Sequence, residues 1–198
     1  MSVRVEDNIA PGSRAYVRGI IPDAQNRQRD DFYPTPPAAT EALLAVEEFD
    51  GDIWEPACGN GAISRVLERY GFSVLSTDLI DRGYGRGGVD FLLDYSTPIA
   101  DNIVTNPPFK FAQEFVEHAL RRSHRKVAML CRLAWLEGKG RRKLFLGSPL
   151  ARVWVFSSRV PMLRNGDQML KGGGGMVAFA WFVWDHNHHG APTLGWLP

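Results

Sequence analysis

The chain has 198 residues, 44% of them hydrophobic and 23% charged, enough for one globular domain with a full core and too few for two domains of similar size. Its longest apolar run, Met176 to Trp184, is too short to span a membrane, so no membrane partner is expected. Net charge is +1, but residues 1–109 carry 9 basic against 17 acidic side chains and residues 110–198 carry 14 against 5, so a cationic small ligand suits the first half and a polyanion such as nucleic acid the second.

In chain order, residues 1–30 are polar and irregular and read as an N-terminal arm; no secretory signal is read in them, and a cytoplasmic protein is expected. The folded domain is expected over 31–184. Asp31 to Pro37 opens a first helix, with Thr35 as its cap, the prolines in its first turn, and Ala39, Ala42, Leu43, Val46 and Phe49 at helical spacing. Asp52 to Cys58 reads as a strand. Gly59-Asn60-Gly61 turns it into a helix that buries Ala62, Ile63, Val66, Leu67 and Tyr70 and stops at Gly71.

Ser73 to Thr77 is a second strand ending at Asp78, and Val89 to Leu93 a short third one. Ile103 to Thr105 runs into Asn106-Pro107-Pro108-Phe109, followed by a helix to Arg122 on which His118 reads as solvated. Lys126 to Leu133 is a buried strand, Gly138 to Phe145 a short basic helix, and Arg152 to Phe156 and Met176 to Trp184 two last strands. Alternation of strands and helices predicts a Rossmann-like, mostly parallel sheet covered on both faces; the last two strands lack a helix between them and should pair antiparallel. Residues 185–198 read as a polar tail. Its histidines lack accompanying cysteines or carboxylates, so no metal is expected, and Cys58 and Cys131, both in apolar stretches, read as buried thiols.

Three features carry chemistry. Gly59 and Gly61 let a strand-to-helix turn approach a ligand, and Asp78, 17 residues after Gly61, sits where an acidic side chain accepts from a ribose diol. A nicotinamide dehydrogenase would usually show a third glycine, but position 64 is Ser. The Asn106 to Phe109 turn, at the carboxyl edge of the sheet, offers a side-chain oxygen and proline-stiffened carbonyls as fixed acceptors and a flat ring beside them. That suits a planar group bearing an NH2: two acceptors gripping its N–H bonds free the nitrogen lone pair for attack, without a strong base.

Together these segments resemble the S-adenosylmethionine-dependent methyltransferases of exocyclic amines, above all the adenine-N6 DNA methyltransferases, with motifs in the gamma-type order. The resemblance implies the class I methyltransferase fold, a seven-stranded sheet with its last strand antiparallel. It implies a cofactor site in which Glu55, Ala57, Gly59 and Gly61 wrap the methionine part, Asp78 holds the ribose, Asp90 and Phe91 contact the adenine, and Tyr33, Pro34 and Thr35 close over the methionine end. Asn106, Pro107, Pro108 and Phe109 would be catalytic, with Asn106 also beside the cofactor. Asp31 to Pro37, Leu136-Glu137-Gly138 and Arg159-Val160-Pro161-Met162 further resemble the short solitary methyltransferases of phages and prophages; unlike restriction-type enzymes, only residues 185–198 follow the domain here, so target recognition is expected to be short and loop-borne or slight. The expected substrate is the N6 amine of adenine in DNA. RNA or a protein glutamine under the same chemistry, and a catalytically silent nucleic-acid-binding fold, are the alternatives. Arg132, Trp135, Lys139, Arg141 and Arg142, with Arg159, Arg164 and Lys171 on a long glycine-ended loop, are the candidate substrate contacts.

Overall fold

A computed structural model describes residues 32–162 and 177–198. Among these residues, four α-helices and seven strands follow one another as α1 (Pro37–Leu44), β1 (Ile53–Glu55), α2 (Ser64–Arg69), β2 (Val74–Ser76), β3 (Ala100–Thr105), α3 (Ala112–Ala119), β4 (Ser123–Arg132), α4 (Lys139–Gly147), β5 (Leu150–Phe156), β6 (Phe179–Asp185) and β7 (Thr193–Leu197). The strands form one sheet in the order β2-β1-β3-β4-β6-β5-β7. β6 runs antiparallel to both neighbours and every other pairing is parallel. The expected antiparallel pairing of Arg152–Phe156 with the strand ending at Trp184 is present.

Strand side chains alternate between two cores, one on each face. Trp54, Ile103, Val127, Met129, Cys131, Phe182 and Trp184 pack with α3 residues Phe115, Val116 and Ala119. Ile53, Val104, Ala128, Leu130, Trp181 and Val183 pack with Ala39 and Leu43 of α1, Leu67 of α2 and Ile63 just before it. The period-2 pattern thus buries both faces of a sheet covered by helices on each. Both cysteines are free and buried.

The structure corrects six local readings. Val89 to Leu93 is not a strand: the Asp90 carboxylate accepts from the Leu92 N–H at 3.0 Å and its carbonyl from Leu93, so the backbone turns. The seventh strand is instead β7, inside the segment read as a tail; it pairs parallel with β5, and Gly195 leaves room there for the Trp154 ring. Helix α1 ends at Leu44, so Val46 is exposed and Phe49 reaches the core from beyond the helix. Tyr70 is 56% exposed, whereas His118 is buried at 2%, edge-on to Phe91 and Tyr95. Finally, Pro36 occupies the N-cap of α1, and the Thr35 hydroxyl is engaged elsewhere.

Candidate functional site

Strand β1 has β2 on one side and β3 on the other, so the chain reverses its direction of travel across the sheet between β1 and β3. The crevice beyond the carboxyl ends of such a pair is where open sheets take ligands. A cavity of about 700 Å3 lies there. Its wall is made by the segment 32–35, the turn after β1, the loops after β2, and the turn after β3.

Glu55 closes β1 and is 98% buried on the cavity wall. Its carboxylate accepts from the Ser64 N–H at 2.8 Å and from the Ser64 hydroxyl, which lies 2.7 Å from the Ser76 hydroxyl. These neutral donors do not offset desolvation, and burial pushes the Glu55 carboxyl up to about 8. Burial likewise pushes the Cys58 thiol up to about 12, so it is unreactive as a thiolate near neutrality.

Beyond Glu55 the two glycines have different work. Gly59 (φ +55°) donates its N–H to the Asp78 carboxylate at 2.7 Å, and the Phe32 ring lies directly over its α-carbon. Gly61 (φ +83°) lies beneath the Tyr84 ring rather than on the cavity wall. The second carboxylate oxygen of Asp78 accepts from the Ile80 N–H at 2.8 Å, which fixes the side chain at the end of β2. Phe91 is held edge-on to Trp54 and His118 and tilted against Phe115, at centroid distances of 5.1, 4.8 and 4.9 Å.

Asn106 follows β3. Its side-chain NH2 donates to the Tyr33 carbonyl and to the Thr35 hydroxyl, each at 3.1 Å. The Tyr33 carbonyl can only accept, so it sets which way the amide points, and the Thr35 hydroxyl completes the pair. The other atom, Oδ1, is buried and has no hydrogen-bond partner. The site therefore presents one oriented, unsatisfied acceptor, a group that calls for an N–H or O–H donor.

Of the residues the sequence singled out, Tyr33, Pro34, Thr35, Glu55, Ala57, Gly59, Asp78, Asp90, Phe91, Asn106 and Pro108 come together on this one wall; Gly61, Pro107 and Phe109 do not. The Phe109 ring is instead contacted by Tyr33, Phe179 and the Arg132 guanidinium. Sequence reasoning missed Phe32, Arg82, Lys110 and Phe111 as wall residues. Phe32 is the neighbour of Tyr33 in the chain, but nothing in its spacing places its ring across the glycine turn.

Among the candidate substrate contacts, Lys139, Arg142 and Arg159 are exposed and Arg132 is half-buried. Two are tied into the protein's own packing. Arg141 donates from Nε to the Trp135 carbonyl at 2.7 Å and from a terminal nitrogen to the Glu137 carbonyl. Trp135 meets Phe145, Phe182 and Trp184 edge-on, because the short turn after β4 folds it back over the sheet. Arg164 and Lys171 lie outside the described residues, as does the whole arm before Phe32.

No protein-family model and no curated protein matches the chain. Solved structures do match it by fold. A protein of Listeria monocytogenes, described as a candidate class I S-adenosylmethionine-dependent methyltransferase, superposes with a TM-score of 0.61 at 12% identity over 93% of this chain and 71% of the other. A candidate RNA methyltransferase of Pyrococcus horikoshii gives 0.60 at 15% identity over 86% and 95%. The modification subunit of a candidate type I restriction enzyme of Vibrio vulnificus gives 0.55 at 15% identity over 91% of this chain and 49% of the other. The chain has the class I methyltransferase fold.

Proposed function

We propose that the protein is a methyltransferase that uses S-adenosylmethionine to methylate the exocyclic N6 amine of adenine in DNA. The observation that carries this reading is the orientation of Asn106: both amide N–H bonds are satisfied inside the protein, and the buried Oδ1 is left as an acceptor beside the cavity. An amine N–H is a donor that such an acceptor takes.

The wall residues fit the cofactor. About 700 Å3 is within the ordinary range for a cofactor-sized ligand. Asp78 would take the ribose hydroxyls, Asp90 and Phe91 the adenine, and Glu55 the cationic methionine end. When bound there, the cofactor supplies an electrophilic methyl group on sulfur. The chain's own work is to hold and orient. Asn106 Oδ1 and the rigid carbonyls beside it draw the amine hydrogens into line, so the nitrogen lone pair points at the cofactor. Lys139, Arg142 and Lys143, exposed on α4, give a basic face for a phosphate backbone.

The test is methyl transfer from labelled cofactor to double- and single-stranded DNA, bulk RNA and protein in parallel, with the products digested and identified by mass spectrometry. N6-methyldeoxyadenosine is the expected product. A methylated ribonucleoside or glutamine would replace the substrate and keep the chemistry. No product with cofactor bound would favour a silent nucleic-acid-binding fold.

A further inference from the structure

The cavity stops short of the ring that should hold the target. Its wall includes Asn106 and Pro108 but not Phe109. Over Phe109 stands a planar cation: Arg132 Cζ is 4.5 Å from the ring centroid. Arg132 ends β4 and pairs in register with Phe179 of β6, and Phe179 lies 5.8 Å from the same ring. Backbone pairing thus brings Arg132 to the aromatic platform beside the buried acceptor of Asn106.

This guanidinium is not built in as Arg141 is. Arg141 is tied to two backbone carbonyls. Arg132 Nε is buried with no acceptor, and among the described residues the side chain has no carboxylate partner. A buried N–H without an acceptor loses a hydrogen bond for as long as it stays there. Moving outward restores that bond to water or to a phosphate. What holds the group in place is its contact with the ring face, and a flat ring of comparable size would make the same contact.

We infer that Arg132 is a stand-in for the target base: its guanidinium occupies the face of Phe109 in the empty site and is displaced when a purine stacks there. This rests on the reading of the site as an adenine-amine site. It adds a residue that competes with the base for its platform and so sets how readily a base enters.

The test uses a neutral probe, 2′-deoxyadenosine, so that loss of a positive charge cannot alter phosphate attraction. The full chain, saturated with S-adenosylhomocysteine, is titrated with the nucleoside and binding is followed by ligand-observed NMR. Arg132→Ala is expected to tighten binding about fivefold by removing the competing cation–ring contact. Arg132→Lys keeps the charge and loses the flat face, and is expected to tighten it as well. Phe109→Ala in the Arg132→Lys background should abolish the gain. Unchanged or weaker binding in both Arg132 variants, each with a wild-type circular dichroism spectrum and melting curve, would overturn the inference. Methyl transfer by the wild type to a single-stranded deoxyadenosine homopolymer tests the underlying reading separately. If transfer is absent there and also from double- and single-stranded DNA of mixed sequence while the nucleoside results hold, the function is wrong and the stand-in survives as a gate on a base-binding platform.

Discussion

The two edges of the sheet each bury a glutamate, and they treat it in opposite ways. At the amino edge, Glu47 is 96% buried and meets Arg152, Lys126 at 3.0 Å and the Trp154 indole N–H at 2.8 Å, with Asp185 joining through Arg152. Burial works to raise its pKa, but the three donors outweigh burial and hold the carboxyl below its usual range. At the carboxyl edge, Glu55 is buried as deeply but has only a hydroxyl and a backbone N–H, and it is pushed up to about 8. Desolvation is common to both; what differs is the cation. A carboxylate matched with cations inside the protein closes the edge and adds to stability. One left without a cation on a cavity wall keeps its affinity for a cation from outside, which is the pattern expected of a binding site.

The contrast can be broken most sharply at the carboxyl edge. Replacing Asn106 with Ala removes the one oriented acceptor, and methyl transfer should fall by about a thousandfold, ~4 kcal/mol. Cofactor affinity by calorimetry should change less than about threefold, because the wall around Glu55 and Asp78 is intact. The matching variant at the other edge, Glu47→Ala, should act on folding: it leaves Arg152 and Lys126 without their shared carboxylate. A loss of about 3 kcal/mol in urea unfolding is expected. If Glu47→Ala instead lowered turnover at unchanged stability, the division of labour would be wrong.

Glu55→Gln sharpens the same point through pH. A glutamate that titrates near 4.5 when unfolded and near 8 when folded holds its proton more tightly in the native state. Its contribution to stability is therefore complete below 4.5 and is lost as pH rises through 8. A cationic ligand prefers the ionised form, so wild-type cofactor affinity should climb with pH up to about 8 and then level. In Glu55→Gln that climb should vanish, and affinity above pH 8 should be about tenfold weaker, ~1.4 kcal/mol. Isothermal titrations at pH 6, 7, 8 and 9 would show it.

Much of this was legible in the chain because it is local. The strand, glycine turn, helix and acidic strand end that bring Glu55, Gly59 and Asp78 together lie within 24 residues, and each step has its own signal in residue type and spacing. Asn106 was legible because two prolines after an apolar strand can hardly be anything but a rigid turn at the sheet's edge. What was not legible depends on distant partners. Glu47 meets Arg152 across 105 residues of chain, and no spacing rule links them. His118 sits on the helix face that Phe91 and Tyr95 close over, so its burial depends on a loop whose backbone turns instead of pairing. β7 was missed because it is a five-residue strand interrupted by Gly195, and its place is set by pairing with the distant β5 rather than by a local pattern.

The smallest expected effects make the finest comparison, because they remove a single hydrogen bond at each edge. Thr35→Val takes away one of the two acceptors that orient the Asn106 amide while nearly conserving volume. Trp154→Phe takes away one of the three donors to Glu47. A bond of this kind is worth about 1 kcal/mol wherever it is made, so arithmetic alone predicts equal consequences. The geometry predicts that they differ in kind. At the carboxyl edge the bond selects which end of an amide faces the site, so Thr35→Val should lower kcat about fivefold, ~1 kcal/mol. Its urea midpoint should stay close to wild type, and Thr35→Ser, which restores the hydroxyl, should recover most of the rate. At the amino edge the bond satisfies a buried carboxylate, so Trp154→Phe should cost about 1 kcal/mol of stability with kcat unchanged. A Thr35→Val protein that lost stability and kept its rate would mean that the Asn106 amide is oriented by something other than the segment lying across it.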